Sequence, residues 1–317
     1  MKFLFVMDEL HTINRVRNTS YAMMESAQNH QHQVYYCLPE HIGYDNEQIM
    51  VSATELKITR NEKDLAEVLS KLYIVLTFFD AIIIRKDPPF NDLYWYATLL
   101  IEKGISSSRV FNAPFGLRAA NEKLYILNFP QIIPPTIVTA QTSRIEEFLL
   151  LHQDIIIKPI NGFSGSGIFR IKLGDTNIRP LMEILSQKNT VQVMVQKYIP
   201  EVKNGDRRMV VLDGKPLGVF ARIASEHDHR SNIGAGGHAV KSMLTERDRY
   251  ISDTIRPKLL SDGLSFVGVD IIGDYLTEIN VTSPSGVHEL KTLSGVDAAT
   301  AFIEFVEEKI LSNSEKY

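Results

Sequence analysis

Residues 266–289, which read FVGVDIIGDYLTEINVTSPSGVHE, decide how the rest of the chain can be arranged. Two runs rich in β-branched and aromatic residues, 266–272 and 276–282, flank the dipeptide Gly273-Asp274. A glycine beside an aspartate between two such runs is typical of the tight turn of a β-hairpin. We therefore predict a hairpin over this stretch.

Side-chain alternation along the two predicted strands fixes which residues share a face. Val269 and Ile279 are both apolar and are expected to pair on the core side of the hairpin, which puts Asp270 opposite Glu278. This register requires an odd number of residues in the connection, so we predict a three-residue loop, 273–275, with a bulge. Two carboxylates then lie across from each other.

Asp270, Glu278 and Asn280 are three oxygen-bearing side chains that this register gathers on one face. Opposed carboxylates repel each other unless a positive charge lies between them, and ligand sets made only of oxygen suit Mg²⁺ that is shared with a phosphate. The pattern therefore favours a site for Mg²⁺ and a nucleotide. The alternative at this point is an acidic hairpin tip that faces water.

The composition is that of a globular chain with room for two or three domains, since 44% of the 317 residues are hydrophobic and the net charge is −4. No block of Lys or Arg is long enough to follow a nucleic-acid backbone, so no nucleic-acid partner is expected. Neither a membrane span nor a signal peptide is expected from the apolar runs. Cys37 is the only cysteine and lies in an apolar run, which fits a reducing cytoplasm.

The first 110 or so residues alternate between strand and helix patterns. Residues 2–7 and 80–85 each have the pattern of a buried strand, and residues 61–78 show the apolar periodicity of a helix. This order predicts an open α/β sheet. Ligands of such sheets collect beyond the carboxyl ends of the strands.

Arg85 ends one of these strands and precedes a loop that Pro88 and Pro89 stiffen. We interpret Arg85 as a clamp for a substrate carboxylate, since a guanidinium group can bind two oxygens at once. A surface salt bridge to Asp87 is the alternative. The helix predicted for residues 92–103 is rich in aromatic side chains, which suit packing or a contact between subunits.

A second, smaller α+β unit is predicted after the first. A helix is predicted over residues 117–127 ahead of it, and within the unit a strand over 154–160 delivers Lys158 to the glycine- and serine-rich loop 161–167. This loop runs into another strand and lacks both the dinucleotide fingerprint and a Walker A motif. We expect it to fold over a polyphosphate as a flap, with Lys158 adding positive charge. An ordinary loose hairpin is the alternative.

The chain beyond residue 190 combines a hinge with several arginines. An alternating strand, 191–197, stops at Tyr198-Ile199-Pro200, which indicates a hinge between domains. A predicted hairpin carries Arg208 and Arg222, and a second glycine-rich loop, 230–237, follows it. Arginines that face an acidic metal site favour the binding of phosphate and carboxylate groups.

Two histidine pairs, His30 with His32 and His227 with His229, have i, i+2 spacing in polar surroundings. Without cysteine neighbours, such pairs are weak indications of zinc binding. Thr245 begins a capping-box pattern, which predicts a helix that runs to about residue 260.

Several strings of this sequence resemble the ATP-grasp superfamily and, within it, bacterial glutathione synthetase. The features of the superfamily are two phosphate lysines, Lys123 and Lys158, together with the glycine-rich flap, the hinge and the oxygen trio. The strings similar to the narrower family are Val6-Met7-Asp8, Arg85-Lys86-Asp87-Pro88-Pro89-Phe90, Asn121-Glu122-Lys123-Leu124, Ala221-Arg222-Ile223, Asp270-Ile271-Ile272-Gly273 and Thr277-Glu278-Ile279-Asn280-Val281-Thr282-Ser283-Pro284. The resemblance spans the whole chain.

The resemblance implies an ATP-grasp fold of mixed α/β and α+β class. Its parts would be an open α/β N-terminal substrate domain (1–118), a small lid (119–198) and a C-terminal antiparallel-sheet domain with the metal site (199–317). It also implies a ligase that uses ATP and Mg²⁺, with Mn²⁺ as a substitute. This ligase joins γ-glutamylcysteine to glycine through an acyl phosphate, giving glutathione, ADP and phosphate. A cytoplasmic homotetramer is implied as well.

The resemblance assigns roles to individual side chains. Metal ligands would be Asp270, Glu278 and Asn280, and the catalytic arginines would be Arg208, Arg222 and Arg230. The ATP site would comprise Lys123, Lys158, Gly162, Ser164, Gly165, Ser166, Gly167, Gln196, Lys197, Tyr198, Ile199 and Asp206. The peptide and glycine would be oriented by Arg85, Asn232, Ser283 and Pro284.

Two segments depart from the family pattern. The flap reads Gly-Phe-Ser-Gly-Ser-Gly over residues 162–167, and residues 285–289 read Ser-Gly-Val-His-Glu near the expected glycine pocket. Another ATP-grasp carboxylate–amine ligase and a non-catalytic ATP-binding protein therefore stay open as alternatives. Turnover with γ-glutamylcysteine and glycine separates the three.

Overall fold

The computed structural model describes residues 1–13, 17–59, 65–162, 165–224 and 236–314, which build three β-sheets in chain order. The sheets contain seven, four and five strands. The first combines parallel and antiparallel strands, and the other two are antiparallel, as the predicted mixture of α/β and α+β units requires. Within the described ranges, no helix combines the length and the apolar content that a membrane crossing needs.

The first sheet has a parallel centre extended by an antiparallel arm. Its strands are β1 (Lys2–Val6), β2 (Gln33–Cys37), β3 (Ile42–Asp45), β4 (Gln48–Ile58), β5 (Ala66–Val75), β6 (Ala81–Ile84) and β7 (Val110–Phe111). Along the sheet the order is β3-β4-β2-β1-β6-β7, and β5 pairs with β4. The helices of this part are α1 (Thr19–Asn29), α2 (Asp92–Gly104) and α3 (Pro114–Ala119). The central strands are buried because helices cover the sheet, as expected for parallel strands.

The helix predicted over residues 61–78 is wrong for its described part. Residues 66–75 form β5, which pairs in antiparallel register with nearly the whole of β4. The next residues, Leu76–Phe78, make one turn of 3-10 helix. Cross-strand pairing with the eleven-residue β4 outweighs the local helical periodicity, since strand preference depends mainly on neighbouring strands.

The second sheet forms a small unit with its own core. It contains β8 (Thr136–Thr139), β9 (Asp154–Pro159), β10 (Phe169–Lys172) and β11 (Val193–Lys197), with helices α4 (Thr142–His152) and α5 (Ile178–Leu185). The strand order is β10-β9-β11-β8. Buried side chains from α4, α5 and the strands, such as Ile145, Ile155 and Met182, form a separate apolar cluster. As predicted, the glycine-rich loop joins two antiparallel strands, β9 and β10.

The third sheet contains the predicted metal hairpin. Its strands are β12 (Asp206–Leu212), β13 (Lys215–Ile223), β14 (His238–Lys241), β15 (Phe266–Ile272) and β16 (Tyr275–Asn280), in the order β14-β13-β12-β15-β16. The helices are α6 (Glu246–Ser261), α7 (Val287–Ser294) and α8 (Ala298–Ser314). The predicted capping box is present at the start of α6, where Thr245 and Asp248 satisfy each other's backbone N–H groups.

The hairpin of β15 and β16 has the predicted register, with Val269 opposite Ile279 and Asp270 opposite Glu278. The predicted bulge exists, but its place was wrong. Gly273-Asp274 is a two-residue turn, and the extra residue is Thr277, whose hydroxyl donates to the Asp270 carbonyl oxygen at 3.1 Å. A bulge inside the strand supplies the same one-residue offset as a longer loop.

The helix predicted over residues 117–127 is interrupted. α3 ends at Ala119, and the chain resumes as a 3-10 helix, Leu124–Asn128. In between, the Asn121 side chain accepts hydrogen bonds from the N–H groups of Lys123 and Leu124, at 3.1 and 3.0 Å. An Asn that bonds to nearby backbone competes with helix formation. The break leaves Glu122 and Lys123 free to reach β16 and the second sheet.

Candidate active site

A cavity of about 620 Å³ is lined by residues from all three sheets. The first sheet contributes Arg85 from the carboxyl end of β6, the second contributes Lys158 and Gln196, and the third contributes Asp270 and Glu278. The predicted edge of the α/β sheet and the predicted metal hairpin therefore face one space. A cavity of this size lies in the range of small-molecule binding sites.

Asp270 lies in a buried network of charges at the floor of the cavity. Its carboxylate accepts two hydrogen bonds from the Arg208 guanidinium, one of them at 3.0 Å, and lies 3.0 Å from Nη2 of Arg222. Arg222 also donates twice to Asp206, once at 2.7 Å. All four side chains are buried. Neighbouring strands create this cluster, because β12 pairs with both β13 and β15.

The network fixes the charge of its members. Burial raises the pKa of Asp270, but the adjacent Arg208 and Arg222 more than reverse this effect, so the pKa of this carboxyl lies well below its usual range. Burial likewise lowers the pKa of Arg222, and Asp270 with Asp206 raises it above its usual value. The carboxylate and the guanidinium group therefore stay ionised across the physiological pH range.

Two buried lysines lie above this network. Lys123 Nζ donates to the carbonyl oxygen of Gly162 and lies 3.3 Å from Oε1 of Glu278. Lys158 Nζ donates to Oε1 of Gln196 at 2.7 Å. Burial lowers the pKa of Lys158, although the charge of Glu278 opposes the shift. Both ammonium groups line the cavity, where a phosphate could take the place of bulk water.

The predicted metal ligands differ in how free their oxygens are. Glu278 is partly exposed to the cavity and contacts only Lys123 among the described side chains. Asn280 donates through Nδ2 to Asp270 at 3.3 Å and to the Gly268 carbonyl oxygen at 3.2 Å, so its Oδ1 is turned away from both acceptors. These two oxygens suit a Mg²⁺ ion. Asp270 is already engaged by two guanidinium groups and suits the ion less well.

The described lining of the cavity is close to electrical balance. It contains seven cationic side chains and six acidic ones. The cationic ones are Arg17, Arg85, Lys123, Lys158, Lys197, Arg208 and Arg222, and the acidic ones are Asp87, Glu122, Asp206, Asp270, Glu278 and Glu289. A polyphosphate alone would give this space a large excess of negative charge. A phosphate ligand that arrives with a divalent cation fits it better.

Arg85 is buried, and its side chain is held by donation from Nε to the Ser20 hydroxyl at 3.1 Å and from Nη2 to the Pro284 carbonyl oxygen at 2.9 Å. Burial lowers its pKa to about 10, so it stays charged near neutral pH. The alternative of a surface salt bridge to Asp87 is not what the structure shows. The ion pair of this loop is instead made by Lys86, whose Nζ lies 2.7 Å from Oδ1 of Asp8, a residue that follows β1.

The predicted hinge, residues 196–199, borders the cavity along one wall. The N–H of Lys197 donates to the Pro135 carbonyl oxygen, and the N–H of Tyr198 donates to that of Asp154, both at 3.0 Å. Within the described part of the chain, the N–H of Ile199 has no acceptor. Of the hinge amides at 197–199, this one is left for a nucleobase.

The cavity also receives most of the remaining predicted residues. The lining includes Gly162, Gly165, Ser166, Asp206, Ser283 and Pro284, and it does not include Gly167. The predicted residues Ser164, Arg230 and Asn232 lie outside the described residues. The same holds for His227 and His229.

Glu122 and Glu289 are cavity residues for which the sequence analysis predicted no role. The Glu122 carboxylate accepts hydrogen bonds from the N–H groups of Val281 and Thr282 and from the Thr282 hydroxyl, at 2.9 to 3.1 Å. Burial and the charge of Glu278 raise its pKa. It ties the start of the predicted lid to the residues that follow β16. The sequence signal that could have identified Glu122 was its position beside Lys123 in the string Asn121-Glu122-Lys123.

Glu289 lies near the start of α7 and is 9% exposed. No described residue donates a hydrogen bond to its side chain or forms an ion pair with it. A carboxylate in a cavity wall that has no partner among the described residues is a candidate for ligand binding.

Two family models match the chain. The model described as prokaryotic glutathione synthetase, N-terminal domain, matches residues 1–118, and the one described as prokaryotic glutathione synthetase, ATP-grasp domain, matches residues 122–295. The glutathione synthetase of Coxiella burnetii is 39% identical over 317 residues and covers 99% of both chains. That of Nitrosomonas europaea is 39% identical over 319 residues and covers 98% of both.

Solved structures with a similar fold are much more distant in sequence. D-cycloserine synthetase DcsG aligns with a TM-score of 0.67 at 14% identity, over 98% of this chain and all of that one. The ATP-grasp ligase PsnB, solved with a phosphomimetic precursor, Mg and ADP, aligns with a TM-score of 0.62 at 15% identity, over 97% and 98% of the two chains. These likenesses concern the fold, and they agree with the predicted ATP-grasp architecture.

Proposed function

The chain belongs to the prokaryotic glutathione synthetase family and is an ATP-dependent ligase, and we propose that its three-sheet cavity joins γ-glutamylcysteine to glycine. The observation that carries this proposal is the convergence of two lysines, Lys123 and Lys158, with the free oxygens of Glu278 and Asn280. Cations for a polyphosphate and oxygen ligands for a metal then meet at one point.

The first step is transfer of the γ-phosphoryl group of ATP to the cysteinyl carboxylate of γ-glutamylcysteine. A carboxylate oxygen forms a bond to phosphorus while the bond to the β,γ-bridging oxygen breaks, which gives an acyl phosphate and ADP. Lys123, Lys158 and Arg208 are placed to stabilise negative charge on the transferring group. Arg222 keeps Asp270 ionised and thereby fixes the orientation of the Arg208 guanidinium group.

Glu278 and Asn280 would hold Mg²⁺, with Mn²⁺ as a substitute, and Asp270 is the third proposed ligand. When bound, the ion offsets phosphate charge as the substrate carboxylate approaches. The near balance of charge in the cavity supports this assignment, since a bare polyphosphate would leave it strongly negative.

The second step is attack of the glycine amine on the acyl carbon. The new C–N bond forms, the phosphate leaves with the electrons of the C–O bond, and the amine loses a proton. Arg85, Ser283 and Pro284 line the cavity, and we assign them to the peptide and glycine. We assign Arg230 and Asn232 to the same role on the family resemblance. We assign the glycine-rich loop to the phosphate end as a cover, since exclusion of water protects an acyl phosphate from hydrolysis.

The nucleoside is assigned to the hinge. The free N–H of Ile199 and the neighbouring backbone would bind adenine, and Asp206 would contact the ribose. The flap residues Gly162, Ser164, Gly165, Ser166 and Gly167, together with Gln196, Lys197 and Tyr198, complete the ATP site. Gln196 supports this assignment because it orients Lys158.

The test of substrate identity is ADP formation by the full-length chain with γ-glutamylcysteine and glycine, compared with other amines and other carboxylates. We expect turnover to require both named substrates and a divalent cation. Turnover with a different amine or peptide, and none with this pair, would assign the chain to another ATP-grasp ligase activity. ATP binding without turnover on any acceptor would make it a binding protein.

The metal assignment is tested by Glu278→Gln, which keeps the size of the side chain and removes its charge. We expect Mg²⁺-dependent ADP formation to fall by about 100-fold or more, because a charge placed for the transition state is lost. The matched control is Glu304→Gln on the exposed face of α8, which should leave the rate unchanged. Ordinary turnover by Glu278→Gln, with its fold intact by circular dichroism, would refute the metal assignment.

The division at residues 118 and 198, the cytoplasmic location and the homotetramer belong to this proposal as well. The lone cysteine, Cys37, is buried and free, which suits a reducing compartment. Large apolar side chains are exposed on α2, including Leu93, Trp95 and Tyr96, which suits a contact between subunits.

A further inference from the structure

A cluster of three potential metal ligands lies well away from the catalytic cavity. His30 Nδ1 is 2.9 Å and His32 Nε2 is 2.6 Å from the same oxygen, Oε1, of Glu307. The three ligand atoms lie within 4.8 Å of one another. In the described part of the chain this is the one group of at least three such residues. None of the three lines the cavity.

The fold brings these side chains together from three elements. His30 follows the last turn of α1, His32 precedes β2, and Glu307 lies on α8, which packs against α1. Between the histidines, Gln31 has a φ of 64°, in the left-handed region that residues other than glycine rarely adopt. This reversal turns both imidazole rings toward one carboxylate. The ring of Phe3 stacks on that of His32, with centroids 4.5 Å apart, and limits its movement.

Two imidazole nitrogens and one carboxylate oxygen make a ligand set typical of zinc and related divalent transition metals. With bond lengths of about 2.0–2.1 Å and tetrahedral angles, neighbouring ligands lie about 3.3 Å apart. The observed separations are shorter, so the Glu307 oxygen has to retreat by roughly half an ångström. The Glu307 side chain is 25% exposed and can make this movement. Because the side chains of His30 and Glu307 are partly exposed, a water molecule can supply the fourth ligand.

We propose that His30, His32 and Glu307 form a binding site for Zn²⁺ or a similar divalent transition-metal ion, which clamps the C-terminal helix α8 to the first sheet. The site lies beside the start of β1, where Lys2 pairs with Gln33, whereas the catalytic cavity lies beyond the other end of that strand. Five residues of strand separate the two by roughly 16 Å. The ion is therefore structural and distinct from the Mg²⁺ of the reaction.

The direct test is titration of the full-length chain with Zn²⁺ in excess Mg²⁺, which occupies the oxygen ligands of the cavity, with Co²⁺ as a spectroscopic probe. We expect one Zn²⁺ per chain and the visible absorption of tetrahedral Co²⁺. His30→Ala should remove the Co²⁺ band and weaken Zn²⁺ binding by at least about 10-fold. The matched control is His11→Ala, which removes an exposed histidine that contacts Glu9 at 2.8 Å.

Absence of stoichiometric Zn²⁺ binding, or equal binding by the His30→Ala and His11→Ala variants, would overturn the proposal and leave a hydrogen-bonded cluster only. If His30→Ala does not fold, Glu307→Gln takes its place, since the amide preserves size and hydrogen bonding. We expect Zn²⁺ to raise the thermal unfolding midpoint of the wild type and not that of Glu307→Gln. Turnover with Mg²⁺ and ATP should be the same in both, because the cluster lies outside the cavity.

Discussion

The carboxylate of Asp270 is surrounded by cations in a space that water hardly reaches. Arg208 and Arg222 contact it, and Arg222 is shared with a second carboxylate, Asp206. Such a network binds an anionic substrate without large movements, because its guanidinium groups are already aligned. It also makes the stability of the chain depend on each member, since a buried charge without its partner is costly.

Asp270→Asn keeps the shape of the side chain and removes its charge. We expect a loss of roughly 3–5 kcal/mol in the free energy of unfolding near neutral pH, because Arg208 and Arg222 lose a buried partner. The depressed pKa of Asp270 gives stability that is present above the unfolded pKa, about 4, and is lost as the pH falls toward the folded value. The difference between wild type and variant should therefore shrink below about pH 4.

Urea unfolding at several pH values measures this difference. The control is Asp253→Asn, on the exposed side of α6, which should change stability little at any pH. A deficit for Asp270→Asn that stays constant down to acid pH would contradict the proposed origin of its stability.

Glu289 offers a second prediction for a single side chain. Its carboxylate has no partner among the described residues of the cavity wall and is expected to bind the ammonium group of the γ-glutamyl residue. Glu289→Gln should raise the KM for γ-glutamylcysteine by about 10- to 100-fold, since a hydrogen bond between charged groups contributes about 1.5–3 kcal/mol. The kcat should change little, because this ammonium is remote from the reacting carboxylate.

Steady-state kinetics with each substrate varied in turn checks this assignment. A dipeptide analogue without the amino group is the control, since wild type and variant should then use it equally well. An unchanged KM for γ-glutamylcysteine would remove Glu289 from the peptide site.

The loop that joins β9 and β10 depends on glycine geometry. Gly167 has a φ of 73°, and a Cβ atom there would come within 2.8 Å of the Pro159 ring. Gly167→Ala is expected to strain the loop and raise the KM for ATP several-fold, with little effect on the thermal midpoint, because the loop lies outside the core of the second sheet.

Gly174→Ala is the matched control for this loop. Gly174 also has a positive φ, 94°, follows β10 and has nothing within 4 Å of a built Cβ atom. It shares the conformational strain but not the steric clash or the position near the cavity. Equal KM values for ATP in the two variants would show that the contact with Pro159 has no bearing on nucleotide binding.

Local patterns were sufficient for the elements whose geometry is set by near neighbours. The hairpin register followed from the alternation around Val269 and Ile279, and the start of α6 followed from the Thr245 capping box. The same reasoning failed at β5, because pairing with the strand β4 makes this segment a strand in spite of its helical pattern. At Asn121 a side chain that bonds to the backbone breaks the predicted helix.

For the site, the sequence identified which residues converge, but it did not identify the hydrogen bonds and ion pairs that these residues form. Asp270 was predicted only as a metal ligand, because the two arginines that hold it come from other strands. Glu122 had no predicted role, since its hydrogen bonds to Val281 and Thr282 span about half the chain. Contacts of this kind depend on the placement of three sheets, which no local pattern contains.

At the scale of the whole molecule, the exposed face of α2 predicts self-association. Trp95 and Tyr96 are 43% and 51% exposed, next to Leu93 and Leu99. We expect the wild type to be a tetramer by light scattering, and Trp95→Glu to shift it to smaller species. Its turnover per chain should persist, because one chain supplies every described wall of the cavity.

The control for association is Leu151→Glu, which places the same charge on a leucine that is 74% exposed on α4. It should stay tetrameric. A wild type that is monomeric at all concentrations would contradict the tetramer, and dissociation by Leu151→Glu alone would move the interface to the second sheet.

The amino group of Lys123 joins parts of the molecule that the sheets keep separate. One of its three N–H donors reaches the backbone of Gly162 and another reaches Glu278. The third is left for a phosphate oxygen, so a single ammonium group is shared by the glycine-rich loop, the metal site and the nucleotide. Binding of the nucleotide is therefore coupled directly, through Lys123, to the glycine-rich loop and to the proposed metal ligand Glu278.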